Sequence, residues 1–137
     1  MAYKIVRNHI VEQLEIEDNG NTVTLNVDLS IDKIIGDYNK AQYSIAIANR
    51  AAHEAQNEGD IQKAEQMMGE AVLNLFEVIF GERQTQMIVD IYQNRALEML
   101  ADIAPFISEV IQPRITEAQQ RIAERYRQVS KGPKRIK

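Results

Sequence analysis

The 137 residues of this chain include no cysteine and carry a formal net charge of −4. The length favours a single domain that can bury a core without metals or disulfides, and the lack of cysteine excludes thiolate metal sites. The first residues, MAYKIVRNH, lack the apolar run of a signal peptide, and no apolar stretch approaches the ~18 residues of a membrane span. We therefore expect a soluble cytosolic protein that does not enter a membrane.

The net charge hides an asymmetry along the chain. Residues 1–112 carry 8 basic and 18 acidic side chains, whereas residues 113–137 carry 8 basic and 2 acidic ones. The two balances, −10 and +6, concern the choice of partners more than the fold.

Residues 10–28 have the pattern of a β-hairpin. Apolar and polar side chains alternate along residues 10–17 and again along residues 22–28. Between these runs, Asp18-Asn19-Gly20-Asn21 supplies residues that tolerate positive φ, as a tight hairpin turn requires. A further short strand is predicted from Tyr3 to Val6.

A long antiparallel helical hairpin is predicted next. The first helix should run from Ile31 to Gln56 with Ser30 as its N-cap, and its apolar positions alternate steps of three and four residues. Its second half is lined with alanine, so a partner helix could approach closely there. Gly59 and Asp60 then end the pattern, and a second helix is predicted from Ile61 to Phe80. The short connection makes the two helices antiparallel.

The stretch from Ala71 to Ile111 contains all three phenylalanines and is predicted to form the apolar centre. Gly81 should adopt the left-handed conformation that closes a helix, with Phe80 beside the turn. A third helix is predicted from residue 82 or 86 to residue 104, where Pro105 would end it.

A fourth helix should begin at Pro105 and bend at Pro113, whose ring displaces a backbone hydrogen bond. The prediction is therefore an α+β fold, mainly α, with an N-terminal β-hairpin followed by three to four helices. Residues 1–129 are expected to form a single domain. Residues 130–137 lack an apolar face and are expected to form a disordered basic tail.

Residues that could carry chemistry are scattered. His9 and His53 have no second histidine or carboxylate at metal-ligand spacing, and the Glu-x-x-His pair of di-iron bundles is missing. A glycine-rich phosphate loop and a Gly-x-Ser-x-Gly motif are also missing. We therefore expect a protein without enzymatic activity, metal or cofactor.

Two features admit a sharper interpretation. Four methionines between residues 67 and 99 could line an adaptable groove, although methionine at helical spacing is more often core. The basic C-terminal end could be a solvated helix end, a contact for an acidic protein, or a nucleic-acid contact. Against nucleic acid, Tyr126 is the only aromatic residue nearby.

The second half of the chain resembles a known family. The segments LFEVIFGERQTQMIVDIYQNRALEML and IAPFISEVIQPRITEAQQRIAERYR are similar to small tail assembly chaperones from long-tailed phages of Gram-positive bacteria. Such chaperones bind the tape-measure protein and present it to tail-tube subunits, and they often occur in short and frameshift-extended forms. The resemblance covers Val72 to Arg127, and its markers are Phe80-Gly81-Glu82, Tyr92, Pro105-Phe106 and Glu124 to Tyr126.

The resemblance implies a non-enzymatic chaperone with tape-measure and tail-tube proteins as partners. The alternatives are a structural subunit of the tail and a small regulatory or nucleic-acid-binding protein that uses the basic end. Self-association is also expected, because the apolar stripe from Ile31 to Ala55 is longer than that of its neighbouring helix. The residues predicted to contact partners are Ile45, Ala48, Ala52, Met68, Phe76, Arg121, Arg125 and Arg127.

Overall fold

A computed structural model describes residues 2–5, 7 and 9–134. Two antiparallel strands precede a succession of helices, so the fold is α+β and mainly α, as predicted. Residues 2–5 form no strand, and Val6, which ends the short strand predicted there, lies outside the described residues. In chain order the elements are β1 (His9–Asp18), β2 (Asn21–Ser30), α1 (Ile31–Glu54), α2 (Glu58–Tyr92), α3 (Ala96–Phe106), a π-helical segment (Ile107–Ile111) and α4 (Gln112–Lys134).

The predicted β-hairpin is confirmed. Asn19 and Gly20 form its turn with φ values of 52° and 83°, the positive values that a two-residue hairpin loop requires. The strands pair antiparallel over their whole length, with Leu14 opposite Leu25. This register puts the alternating apolar side chains of both strands on one face and leaves Val11 exposed on the other.

The hairpin is supported by the helices, as a two-stranded sheet requires in water. Its apolar face belongs to the buried core. The side-chain Nε2 of Gln84 donates to the backbone carbonyl of Asn26. The side-chain Oε1 of Gln84 accepts from the backbone N–H of Asn26, and both distances are 2.7 Å. Arg114 donates to the half-buried carboxylate of Glu12 at 2.6 Å. Polar contacts therefore tie β2 to α2 and β1 to α4.

α1 and α2 form the predicted helical hairpin. They pack along each other and are joined by residues 55–57 alone, so they are antiparallel neighbours. α2 begins at Glu58, earlier than the predicted Ile61, because the N-cap is Asn57 and not Asp60. The Asn57 side chain accepts a hydrogen bond from the Asp60 N–H at 2.9 Å.

α2 bends at Gly81, where the sequence predicts a corner. Gly81 has the positive φ expected, 82°, but its ψ of 163° lies outside the left-handed helical region. The ring centroids of Phe76 and Phe80 lie 6.1 Å apart edge-to-face, and those of Phe80 and Phe106 lie 6.1 Å apart and stacked. These contacts confirm the apolar centre predicted for Ala71 to Ile111.

The single third helix predicted from residue 82 or 86 to residue 104 is wrong. α2 ends at Tyr92, and Gln93 and Asn94 follow with positive φ values of 53° and 63°. The Asn94 N–H donates to the Val89 carbonyl at 3.0 Å, which closes α2 before α3 begins. Apolar periodicity continues across this turn, so periodicity alone does not reveal the break.

Pro105 does not end a helix, contrary to the prediction. It lies inside α3, and the helical run continues through the π-helical segment into α4. The missing N–H of Pro105 leaves the Ala101 carbonyl without its helical partner. Ala101 and Pro105 are both exposed residues, so the interruption lies on the solvent side of the helix. Residues 96–134 therefore form one helical run rather than two helices divided at Pro105.

The π-helical segment precedes Pro113, where the sequence predicts a bend. The Gln112 N–H donates to the Ile107 carbonyl, five residues back instead of four. The helix thus changes its hydrogen-bond register just before the residue that cannot donate a bond. Ile107 and Ile111 are buried, so this segment is part of the core.

The last helix is longer than predicted. α4 continues to Lys134, and the disorder predicted for residues 130–137 stays a prediction. Each residue added to an existing helix gains a hydrogen bond, so a helix can extend past its packed part. Residues 135–137 lie outside the described residues.

Candidate functional site

An open groove lies where the end of α1 and the first turns of α2 meet the start of α3. Its volume is about 730 Å³, and its walls expose more apolar than polar surface. We call it the distal groove. It is lined chiefly by Ala52, Ile61, Ala64, Met68, Ala96 and Leu97.

Small residues bring α3 close to α2 at this groove. A Cβ atom placed on Gly69 would lie 4.0 Å from the Cβ of Ala96, an ordinary van der Waals contact. Next to this contact, the turn at Gln93 and Asn94 redirects the chain so that Leu97 reaches the groove. The reversal between α2 and α3, absent from the sequence prediction, therefore builds one wall of the site.

The large apolar side chains of the groove are open to solvent. Leu97 is 66% exposed and Ile61 is 47% exposed. Singly exposed apolar side chains are common on proteins, and these two share one concave surface, so the groove is a candidate contact site. The groove supplies apolar area for contact, and its polar lining contains no nucleophile beside a base.

Acidic side chains cluster beside the groove. The Tyr92 hydroxyl donates to Asp102 at 2.9 Å. Burial, followed by this hydrogen bond and the charge of Asp102, raises the pKa of Tyr92 to about 12. Glu98 and Asp18 add further negative charge to the same neighbourhood. Within the groove itself, Glu98 forms an ion pair with Arg95 at 3.6 Å, and Glu65 adds a further negative charge.

The predicted partner-binding residues are divided among three environments. Ala52 and Met68 line the distal groove. Ile45 is half-buried and packs against the core. Ala48 and Phe76 are fully buried in the core, so neither can contact a partner, and the prediction is wrong for these two. Their helical spacing reflects the packing between α1 and α2 instead.

The three predicted arginines lie on the last helix. Arg121, Arg125 and Arg127 are all exposed on α4. Arg121 forms an ion pair with Glu117 one turn earlier. The structure does not bring these arginines to the distal groove of the same chain.

The two large exposed residues of the groove, Ile61 and Leu97, are missing from the predicted set, as are the smaller Ala64 and Ala96. Ile61 belongs to the apolar stripe of α2 and sits in its first turn, close to the connection with α1. Leu97 was not predicted as a contact residue, because one continuous helix was predicted through this region. Asn94 was the available signal, since asparagine tolerates the left-handed conformation that ends a helix.

The described residues contain no group of three or more histidine, aspartate or glutamate side chains arranged as a metal site. None of the helices in the described part of the chain is both long and apolar enough to cross a bilayer. Comparisons with protein-family models, curated proteins and solved structures find no match to this chain.

Proposed function

We propose that this protein is a non-enzymatic chaperone for phage tail assembly. It binds a helical segment of the tape-measure protein in the cytoplasm of the bacterial host and presents it to tail-tube subunits. The partners come from the resemblance of residues 72–127 to such chaperones. The binding site comes from the distal groove, an exposed apolar surface of the kind that an assembly factor requires.

The observation that carries the proposal is the joint exposure of Ile61 and Leu97 in one groove. Between Ile61 and Met68 the groove follows α2 for about 10.5 Å, the length of two helical turns. A helix that presents apolar residues at i, i+3, i+4 and i+7 fits a groove of this length. The tape-measure segment should therefore contact Ala52, Ile61, Met68 and Leu97.

The strength of binding should depend on a few side chains. Complete burial of Leu97 and Ile61 against a partner helix would contribute up to about 2 kcal/mol each, before the cost of association. Truncation of such anchors commonly costs more than about 1 kcal/mol of binding free energy, whereas residues around them have little effect. Leu97 is the more exposed of the two and is the better position to test.

The experiment co-expresses this protein with the tape-measure protein of the same phage and measures soluble complex. The wild-type protein should keep the tape-measure protein soluble, and Leu97→Glu should weaken binding at least tenfold. Tyr43→Glu is the matched control. Tyr43 is 68% exposed on α1, and it is nine residues, or half a helical rotation, from Ala52. Circular dichroism should show that both variants remain folded.

Equal binding by Leu97→Glu and Tyr43→Glu would exclude the distal groove as the tape-measure site. Purified mature tails should lack this chain, and its stoichiometric presence there would favour a structural tail subunit. Salt-sensitive DNA binding at sub-micromolar affinity would favour a nucleic-acid-binding protein that uses the basic end of α4. The proposal also places the gene between those of the tail tube and the tape-measure protein.

A further inference from the structure

The last described turns of α4 carry an apolar stripe without a partner. We call residues 119–129 the α4 end. Every residue from Ala123 to Val129 is exposed, and Tyr126 and Val129 are each 72% exposed. Ile122, Tyr126 and Val129 are spaced i, i+4 and i+7, so they lie on one side of the helix. The α4 end is thus an amphipathic helix that extends beyond the packed part of the molecule.

The charges beside this stripe complement those of the distal groove. Arg121 and Arg125 border the stripe on one side, given the helical rotation of about 100° per residue. Arg121 is paired with Glu117, whereas Arg125 has no ion pair among the described residues. Glu65 lines the distal groove and likewise forms no ion pair within the described part of the chain. An arginine at the edge of one apolar surface can therefore meet a glutamate in the other.

The two surfaces also match in length. The stripe from Ile122 to Val129 and the groove wall from Ile61 to Met68 each extend over seven helical steps, about 10.5 Å. Both have an apolar residue at each end and a charged residue between or beside them. A helix of this length fits the groove as a two-turn segment.

The α4 end cannot reach the groove of its own chain. The Tyr38 hydroxyl donates to Gln112 at 2.6 Å, and Ile31 and Ala118 line one cavity, so α4 runs toward the start of α1 and beyond it. The distal groove lies near Ala52 at the other end of α1. Residues 31 and 52 of one helix are about 30 Å apart. The two surfaces are therefore at opposite ends of the molecule.

We propose that the α4 end of one copy docks into the distal groove of a second copy. The stripe of Ile122, Tyr126 and Val129 covers Ile61 and Leu97, and Arg125 meets Glu65. Because the two surfaces differ, the contact is head-to-tail, and it builds open chains or closed rings rather than a two-fold dimer. The inference uses the groove of the proposed function but does not depend on the identity of its phage partner.

The first test is the mass of the purified wild-type chain by light scattering over a concentration series. The mass should rise with concentration through multiples of 15.7 kDa. Leu97→Glu blocks the groove and Tyr126→Glu blocks the stripe, and each should raise the apparent dissociation constant at least tenfold. Val11→Glu, an exposed position on the outer face of the hairpin, should assemble like the wild type. Circular dichroism establishes that each variant is folded.

The decisive test mixes the two blocked variants. Leu97→Glu retains an intact stripe, and Tyr126→Glu retains an intact groove, so together they should form a 1:1 dimer of about 31 kDa and nothing larger. A wild-type chain that stays monomeric at tens of micromolar would overturn the proposal. So would a mixture that fails to dimerise, or a wild-type dimer that both substitutions leave unchanged.

These outcomes are separable from those of the proposed function. Tyr126→Glu should lose self-association and still bind the tape-measure protein. Wild-type protein that is monomeric yet binds the tape-measure protein through Leu97 would remove head-to-tail docking alone. Wild-type protein that assembles through Leu97 without binding the tape-measure protein would remove the proposed function alone.

Discussion

The two ends of the α1–α2 helical hairpin are built from side chains of different size. Near the β-hairpin, the buried residues of these helices include Ile34, Tyr38, Phe76 and Ile79. Between residues 45 and 69, the buried side chains are Ala48 and Ala64 alone. The same pair of helices is therefore tightly filled at one end and sparsely filled at the other.

This difference separates stability from binding. Stabilisation grows by ~25 cal/mol for each Å² of apolar surface buried, so the end rich in isoleucine and aromatic residues holds the fold together. Alanine lets helices approach but buries little surface. At the alanine-rich end, Ile61 and Leu97 stay on the surface and remain available for a partner.

Phe76→Ala should cause the largest loss of unfolding free energy, and it tests whether the two ends differ in their contribution to stability. Phe76 is fully buried and contacts Phe80 edge-to-face, so its removal should cost about 3 to 5 kcal/mol of unfolding free energy. Met68→Ala at the distal end should cost only about 1 kcal/mol, because Met68 is half-buried. Urea unfolding followed by circular dichroism measures both. Equal losses would mean that the two ends contribute alike.

A smaller effect is expected at Gly81, which sets the direction of the chain at the filled end. Its φ of 82° and ψ of 163° belong to a region that only glycine occupies readily, so Gly81→Ala should destabilise the fold by about 1 to 3 kcal/mol. No atom lies within 4 Å of the added Cβ, so the cost is conformational.

Gly36→Ala is the matched control for this substitution. Gly36 lies inside α1 and also has free space around an added Cβ, so alanine should stabilise the fold there by about 0.5 to 1 kcal/mol. Substitutions of the same size should thus have opposite signs in thermal or urea unfolding. Destabilisation of similar size at both positions would contradict the conformational explanation.

The last expected effect on unfolding free energy appears only at alkaline pH. It concerns Tyr92, which lies beside the distal groove. The folded state holds the Tyr92 proton more tightly than the unfolded chain, since the pKa rises from 10.0 to about 12. This contribution to stability is complete below pH 10 and is lost as the pH rises toward 12. Tyr92→Phe should flatten that decline in unfolding free energy, with Tyr43→Phe as the exposed control. An unchanged decline in Tyr92→Phe would assign it to other groups.

Much of the fold could be predicted from local chemistry. Asn19 and Gly20 favour the turn that they form. The alternation of apolar and polar side chains in residues 10–28 predicts which face of each strand is buried. Gly81 marks a corner because few other residues tolerate positive φ. Pro105 misled the prediction, because a proline can lie inside a helix, and here Pro105 and Ala101 are both exposed residues.

The site was harder to predict, because periodicity identifies an apolar face without saying what covers it. Phe76 and Met68 lie on the same helix, yet one is in the core and the other lines a groove. Whether a residue of α2 is covered by its neighbours depends on where α1 ends and where α3 begins. Both depend on contacts between residues far apart in sequence, which no local pattern contains.

The π-helical segment has a consequence for how the end of α4 is aimed. Its wider turn accommodates one residue more than an α-helix would, and each residue of an α-helix rotates the chain by about 100°. If this segment adopted ordinary α-helical spacing with the same number of residues, everything after it would rotate by about that angle. The direction in which Tyr126 points therefore depends on the π-helical turn at Ile107–Ile111, about four helical turns earlier in the chain.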